Sequence, residues 1–138
     1  MQKKYLKSSL VDKLISFFDK GKLSTSVIAD CSTDFKYEVL DFEKQIKFQK
    51  AFSGYLFFTY TYKNSNWDLH RIIRNKKFKN HVILVYPFEC KSVGLLGGLI
   101  SSSLKRKQAK GVLVNGFIRD VDEIKKSKLN VLCKGFSP

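Results

Sequence analysis

From Gly54 onward the chain switches repeatedly between two hydrophobic periods, and that alternation limits its fold more than any other feature. Tyr55-Leu-Phe-Phe-Thr-Tyr-Thr-Tyr62 is dense in aromatic and β-branched residues. Gly54 and Asn64-Ser65-Asn66 bound it, so it reads as a strand. Leu69, Ile72 and Ile73 then follow at helical spacing, with Ser65 or Asn66 as the cap. His81-Val-Ile-Leu-Val-Tyr86 is a short apolar run closed by Pro87, the pattern of a buried strand. Residues 95–108 predict a helix opened by glycines, with Leu99, Ile100 and Leu104 turned inward. Gly111-Val-Leu-Val-Asn115 is a second buried-type strand. Asp120 to Lys128 is a helix with acids first and lysines last, as the helix dipole prefers. Asn130-Val-Leu-Cys133 is a final strand. A β-α-β-α-β-α-β order with short connections predicts an α/β domain whose sheet is at least partly parallel.

The first third is less regular. Leu6, Leu10, Leu14 and Phe17 or Phe18 recur at helical spacing over 5–20, with Val11 and Ile15 widening the stripe and Gly21 as a stop. Ser24, Thr25 and Ser26 offer an N-cap for a short helix running toward Asp30. Tyr37, Val39 and Leu40 suggest a strand, while Phe42 to Gln49 fits either element. At 138 residues the expectation is one domain, 1–138. Gly135-Phe-Ser-Pro138 is a turn signal after a strand, which suggests a fold that ordinarily continues.

Charge is the feature this pattern does not explain. Lys and Arg number 26 against 12 Asp and Glu, a net of +14. Residues 44–119 hold fifteen of those cations and only Asp68 and Glu89 as acids. Such a balance points to anionic partners: nucleic acid, a membrane surface or acidic small molecules. No apolar run approaches the roughly 20 residues of a membrane-spanning helix, and the mean hydropathy of −0.21 suits a soluble protein. The first residues lack the apolar core and cleavage site of a secretory signal. Asp12, Asp19 and the absence of Arg argue against a mitochondrial presequence. Cys31, Cys90 and Cys133 are odd in number and far apart. They read as reduced core thiols of a cytoplasmic protein, not as a disulfide framework or zinc site. The basic runs Arg71–Lys79 and Lys105–Lys107 read as solvated faces, and Tyr55–Tyr62 as a half-buried strand, not a base-stacking platform. His70 and His81 stand too isolated for a metal site or triad. The Gly94–Gly98 cluster does not have the dinucleotide-binding spacing.

Chemistry concentrates between Val93 and Ile124. Gly97-Gly98 sits where a loop becomes a helix, and bare backbone N–H groups there can hold a carboxylate or phosphate. Arg119-Asp120 follows a strand of parallel type, at the end where ligands bind in α/β sheets. A guanidinium forks onto a carboxylate, and an aspartate can hold Mg or Mn through oxygen. An Arg-Asp dipeptide alone is also a common surface ion pair or helix cap.

This stretch resembles the RraA-like family, which includes class II 4-hydroxy-4-methyl-2-oxoglutarate/4-carboxy-4-hydroxy-2-oxoadipate aldolases. The family pattern is Gly or Asp, twenty residues, Arg-Asp, two residues, then an acid. Gly98, the twenty residues to Ile118, Arg119-Asp120, Val121-Asp122 and Glu123 fit it without a gap. The match is densest over about 93–138, and Ser24-Thr-Ser-Val-Ile-Ala-Asp30 is similar to the family's early helix. The resemblance implies an RraA-like β/β/α swivelling-type domain with a partly parallel sheet, shortened at its C-terminal end. It implies a divalent metal, Mg or Mn, held by Asp120 with Glu123 in its water shell. Backbone groups around Gly97, Gly98, Leu99 and Ile100 would bind the substrate's oxygens, and Arg119 its carboxylate and keto oxygen. The implied activity is release of pyruvate from a small anionic 2-oxo acid, either a 4-hydroxy-2-oxo acid or oxaloacetate, in a homotrimer or hexamer with no membrane partner. The alternative within the family is a non-catalytic regulator binding a ribonuclease or RNA.

Overall fold

The computed structural model describes residues 9–30, 42–46 and 51–137. Tyr37, Val39 and Leu40, proposed above as a strand, lie outside them, as do Leu6 and Cys31. The elements run α1 (Ser9–Asp19), α2 (Thr25–Asp30), β1 (Lys44–Ile46), β2 (Tyr55–Tyr62), α3 (Trp67–Asn75), β3 (His81–Phe88), β4 (Gly94–Leu96), α4 (Gly98–Arg106), β5 (Gly111–Ile118), α5 (Val121–Ser127) and β6 (Asn130–Phe136). The sheet order is β1-β6-β5-β3-β2, and β4 also pairs with β5. Every pairing is parallel except β1 with β6. The α/β class and the partly parallel sheet expected from the alternation are therefore observed.

One face of the sheet makes the core. Ile83 and Val85 of β3, Val112, Val114 and Ile118 of β5, and Val131 and Cys133 of β6 are all at most 1% exposed. They meet Leu69 and Ile73 of α3, Ile100 and Leu104 of α4, and Ile124 of α5 in one cluster. The other face is different. Leu56, Phe58, Tyr60 and Tyr62 alternate out of β2, beside Tyr86 and Phe88 of β3, and these six side chains are 38% to 57% exposed. Phe58 tilts against Tyr86, and Tyr62 stacks on Phe88 at 5.9 Å. The alternation of β2 is thus as expected, but its ring-bearing half points outward and Phe57, Thr59 and Thr61 point in.

Several local expectations are refined. Pro87 does not end β3, which runs on to Phe88. β5 pairs with β3 only over Val82–Val85, so beyond that point β3 has a free side where a proline removes no ladder bond. β4 then takes the vacated edge of β5, with Gly94 beside Phe117 and Leu96 beside Ile118. Ile100 and Leu104 are buried as expected, but Leu99 is 84% exposed. On a helix of nine residues, the turn that buries Ile100 against the core swings its neighbour outward.

α1 ends as the glycine predicted. Gly21 has a φ of 69°, Lys22 N–H donates to Phe17 and Gly21 N–H to Phe18, which together form a Schellman turn. Ser24 Oγ accepts the Val27 N–H at 3.2 Å and caps α2. α1 docks through its polar side. The Tyr55 hydroxyl donates to Asp12 at 2.8 Å, Ser53 Oγ to Asp19 at 3.1 Å, and Lys110 forms an ion pair with Asp19. Leu14 and Phe17 of the apolar stripe stay about half exposed. These contacts place α1 at the N-terminal ends of β2 and β5, where Asp12, Tyr55, Asn80 and His81 help line a cleft of about 620 Å³.

Candidate active site

The Arg119 region occupies the opposite end of the sheet, where β5 and β4 finish. β5 is paired on both sides, so its end is held firmly. The Arg119 backbone N–H donates to the Leu96 carbonyl at 2.9 Å and ties the end of β5 to the end of β4. A β-carbon on Gly94 would stand 2.7 Å from Arg119 Cβ, so only glycine lets the two backbones approach this closely.

Asp120 follows in the left-handed region, with φ 55° and ψ 46°. Aspartate and asparagine tolerate that conformation better than other non-glycine residues. The turn aims its carboxylate across to α4, where Gly98 N–H donates to Oδ2 at 3.4 Å, and it makes no side-chain cap on α5. A β-carbon on Gly97 would stand 2.7 Å from the same Oδ2, and one on Gly98 2.4 Å from Glu123 Cβ. The two glycines are therefore the floor on which Asp120 and Glu123 rest. Ser101, fully buried, donates its hydroxyl to the Gly97 carbonyl at 2.9 Å and fixes that peptide.

Arg119 and Asp120 are each about half exposed, and Arg119 Nε lies 4.0 Å from Asp120 Oδ2. That separation is at the outer limit of an ion pair, so the guanidinium is not consumed by its neighbour. Glu123 is engaged elsewhere: its Oε1 accepts from Lys126 Nζ at 2.6 Å.

The fold thus brings together Gly97, Gly98, Arg119, Asp120 and Glu123 at one end of the sheet. Ile100 lies one turn into α4 and is buried, while the Leu99 side chain points to solvent. Sequence reasoning missed Gly94 and Ser101. Nothing in Ser101-Ser-Ser103 distinguishes the residue that turns inward from its neighbours.

As for a metal, no group of three His, Cys, Asp or Glu side chains stands together among the described residues. The donor set at this end of the sheet is the pair of carboxylates Asp120 and Glu123. It fits Mg or Mn, which keep several waters and need one or two carboxylates beside the substrate's own oxygens.

A mostly parallel sheet with a glycine floor, an arginine and an aspartate at its carboxyl end is an α/β domain of the open-sheet class. The family is settled by sequence: the RraA-like family, described as Aldolase/RraA, matches residues 25–138, and the chain belongs to it. No curated protein sequence matches the chain. Several solved structures share the fold, three of them as follows. The RNA-processing inhibitor RraA from Thermus thermophilis is 20% identical at a TM-score of 0.73, covering 84% of this chain and 69% of its own. A structure described as S-adenosylmethionine: 2-dimethylmenaquinone methyltransferase from Geobacillus kaustophilus HTA426 is 22% identical at 0.72, covering 84% and 71%. RraAS2 of Streptomyces coelicolor, described as an unusual member of the RNase ES inhibitor RraA protein family, is 17% identical at 0.65, covering 91% and 64%. The chain spans about two thirds of the length of these relatives. No helix of the described residues is long and apolar enough to cross a membrane.

Proposed function

We propose that the chain is a metal-dependent lyase that releases pyruvate from a small anionic 2-oxo acid. The observation that carries this reading is the packing of Asp120 on Gly97 and Gly98, with a half-exposed Arg119 guanidinium beside it that meets Asp120 only at 4.0 Å. Arg119 binds the substrate's carboxylate and keto oxygen, and the N–H groups opening α4 at Gly98, Leu99 and Ile100 add donors. Asp120 holds Mg or Mn, with Glu123 reaching at most its water shell because Lys126 already binds that carboxylate. A bound divalent ion supplies positive charge where an enolate oxygen develops.

In a 4-hydroxy-2-oxo acid the C3–C4 bond breaks, its electron pair becomes the pyruvate enolate, and the C4 hydroxyl loses its proton. In oxaloacetate the bond to the distal carboxylate breaks, carbon dioxide leaves, and the same enolate remains. Protonation at C3 then gives pyruvate in both. The first reaction needs a group to receive the hydroxyl proton, and Gly98 brings no side chain for it. The second needs none, which favours oxaloacetate decarboxylation. Arg119 and Asp120 are half exposed, which suits a site completed by a neighbouring subunit of a homo-oligomer.

The test is a coupled pyruvate assay on the assembled protein with Mn or Mg. Turnover of oxaloacetate that chelator and Asp120→Ala both abolish supports the reading. Absence of metal-dependent turnover with both substrate classes overturns it. The regulator reading draws on relatives described as inhibitors of RNA processing or of RNase ES. The net charge of +14 opposes docking on a basic RNA-binding segment.

A further inference from the structure

Two basic segments that are separate in the sequence become one surface in the fold. The first is the exit of α3: Arg74, Lys76, Lys77 and Lys79. The second is the exit of α4: Lys105, Arg106 and Lys107. Phe78, 1% exposed, plugs the first segment into the core. Its backbone N–H donates to the Lys107 carbonyl at 3.0 Å, and Lys107 Nζ returns a bond to the Arg74 carbonyl at 3.0 Å. Lys110 N–H then donates to the His81 carbonyl at 2.9 Å, so the two loops enter β3 and β5 side by side.

None of these seven cations is ion-paired among the described residues. The pairs formed there belong to Arg71, Lys110, Arg119, Lys125 and Lys126. Between Arg71 and Lys110 the only acid is Glu89, and it lies beyond the far end of β3. Six of the seven are exposed, and the seventh, Lys107, is partly so. Asp12 and Asp19 line a cleft with Lys79, and Asp19 is paired with Lys110. The other six cations form no ion pair among the described residues, and like charges gathered in this way repel one another unless an external anion occupies the surface.

We infer that this surface binds the phosphodiester backbone of a nucleic acid. A lipid surface would call for exposed apolar anchors among the cations, but Phe78 is buried and Lys76 lies over the Phe57 ring, 4.7 Å from its centroid. A polymer with a negative charge on every unit matches a row of cations that form no ion pair among the described residues. Contacts of this kind position the strand without reading its bases, so the binding is independent of sequence. The surface sits at the N-terminal ends of the strands, about 25–30 Å along β5 from Arg119. It stands whether or not the lyase reading holds.

The test is fluorescence anisotropy of the full chain with a labelled 20-nucleotide single-stranded RNA and a labelled 20-base-pair DNA duplex, from 50 to 400 mM salt. About five neutralised phosphates on the single strand give a slope of log affinity against log salt near −3.5. Reversing Lys76, Lys77, Lys105 and Arg106 to Glu lowers affinity at least thirtyfold. Reversing Lys63, Lys91, Lys125 and Lys134 to Glu removes the same charge elsewhere and changes it less than threefold. Circular dichroism melts confirm that both variants fold. The RNA and duplex arms tell which polymer is preferred. No binding at 50 mM salt overturns the proposal. So does an equal loss in the two charge-matched variants, and so does competition by poly-glutamate as effective as that by unlabelled RNA.

Discussion

A β-carbon placed on Gly97 would stand 2.7 Å from Asp120 Oδ2, closer than a β-carbon comes to a non-bonded atom. Gly97→Ala therefore displaces the Asp120 carboxylate from the α4 N-terminus. The expected result is at least a tenfold loss of metal-supported pyruvate release and weaker Mn binding. The clash is with the tip of a half-exposed side chain that can turn aside, so the melting temperature should change little. Unchanged Mn affinity in a folded Gly97→Ala protein would contradict the placement of the metal.

Asp120→Asn separates chemistry from backbone. Asparagine accepts the left-handed conformation at this position as readily as aspartate, so stability should hold within about 0.5 kcal/mol. Turnover should fall about a hundredfold, because an amide cannot replace the metal-binding carboxylate. Parallel denaturant titration and pyruvate assays check both halves. Asp120→Val should also cost about 1–2 kcal/mol of stability, since a β-branched residue is disfavoured at a φ of 55°.

The reach of sequence reasoning is clearest at this end of the sheet. The placement of Arg119 and Asp120 just past the end of β5 was legible because they follow an apolar, β-branched run. The twenty-residue interval before them also has a geometric cause. It holds α4, which leads away from the site, and β5, which returns to it, so the start of α4 at Gly97 and Gly98 finishes beside Arg119 and Asp120. β4 was not legible. Gly94-Leu-Leu96 is three residues long, and it is a strand only because β3 has left that edge of β5 empty. Leu99 was misplaced because the spacing of apolar residues on so short a helix does not choose between 99 and 100. The joining of the two basic loops was invisible for a related reason: it depends on Phe78 reaching the core, a long-range packing event.

Tyr55 provides a pH test of how α1 is attached. Its hydrogen bond to Asp12 raises the hydroxyl's pKa above the usual tyrosine value, with desolvation and the Asp12 charge adding to it. A raised folded-state value means the neutral form is favoured in the native state. The stabilisation is then fully present below about pH 10 and is lost as pH rises through the raised value. Absorbance at 295 nm should show one tyrosine ionising late. Tyr55→Phe should remove that late step and speed proteolysis within α1 at neutral pH.

Cys133 and Cys90 should differ in reactivity. Burial pushes the Cys133 thiol's pKa up, and the side chain is inaccessible in the core. Cys90 is only partly buried and donates weakly to Phe88 and Thr61 carbonyls. Iodoacetamide at pH 8 followed by peptide mass spectrometry should modify Cys90 in the native protein and Cys133 only with denaturant. Modification of Cys133 under native conditions would mean that β6 opens without global unfolding.

The aromatic ladder on the outer face of β2 and β3 bears on how copies of the chain behave toward one another. Six side chains, each about half uncovered, present about 600 Å² of apolar surface on a flat sheet. A net charge of +14 opposes the meeting of two such faces. That opposition reaches about 10 Å in 0.1 M salt and only about 3 Å in 1 M. Rising ionic strength should therefore weaken what keeps two such faces apart and favour their association.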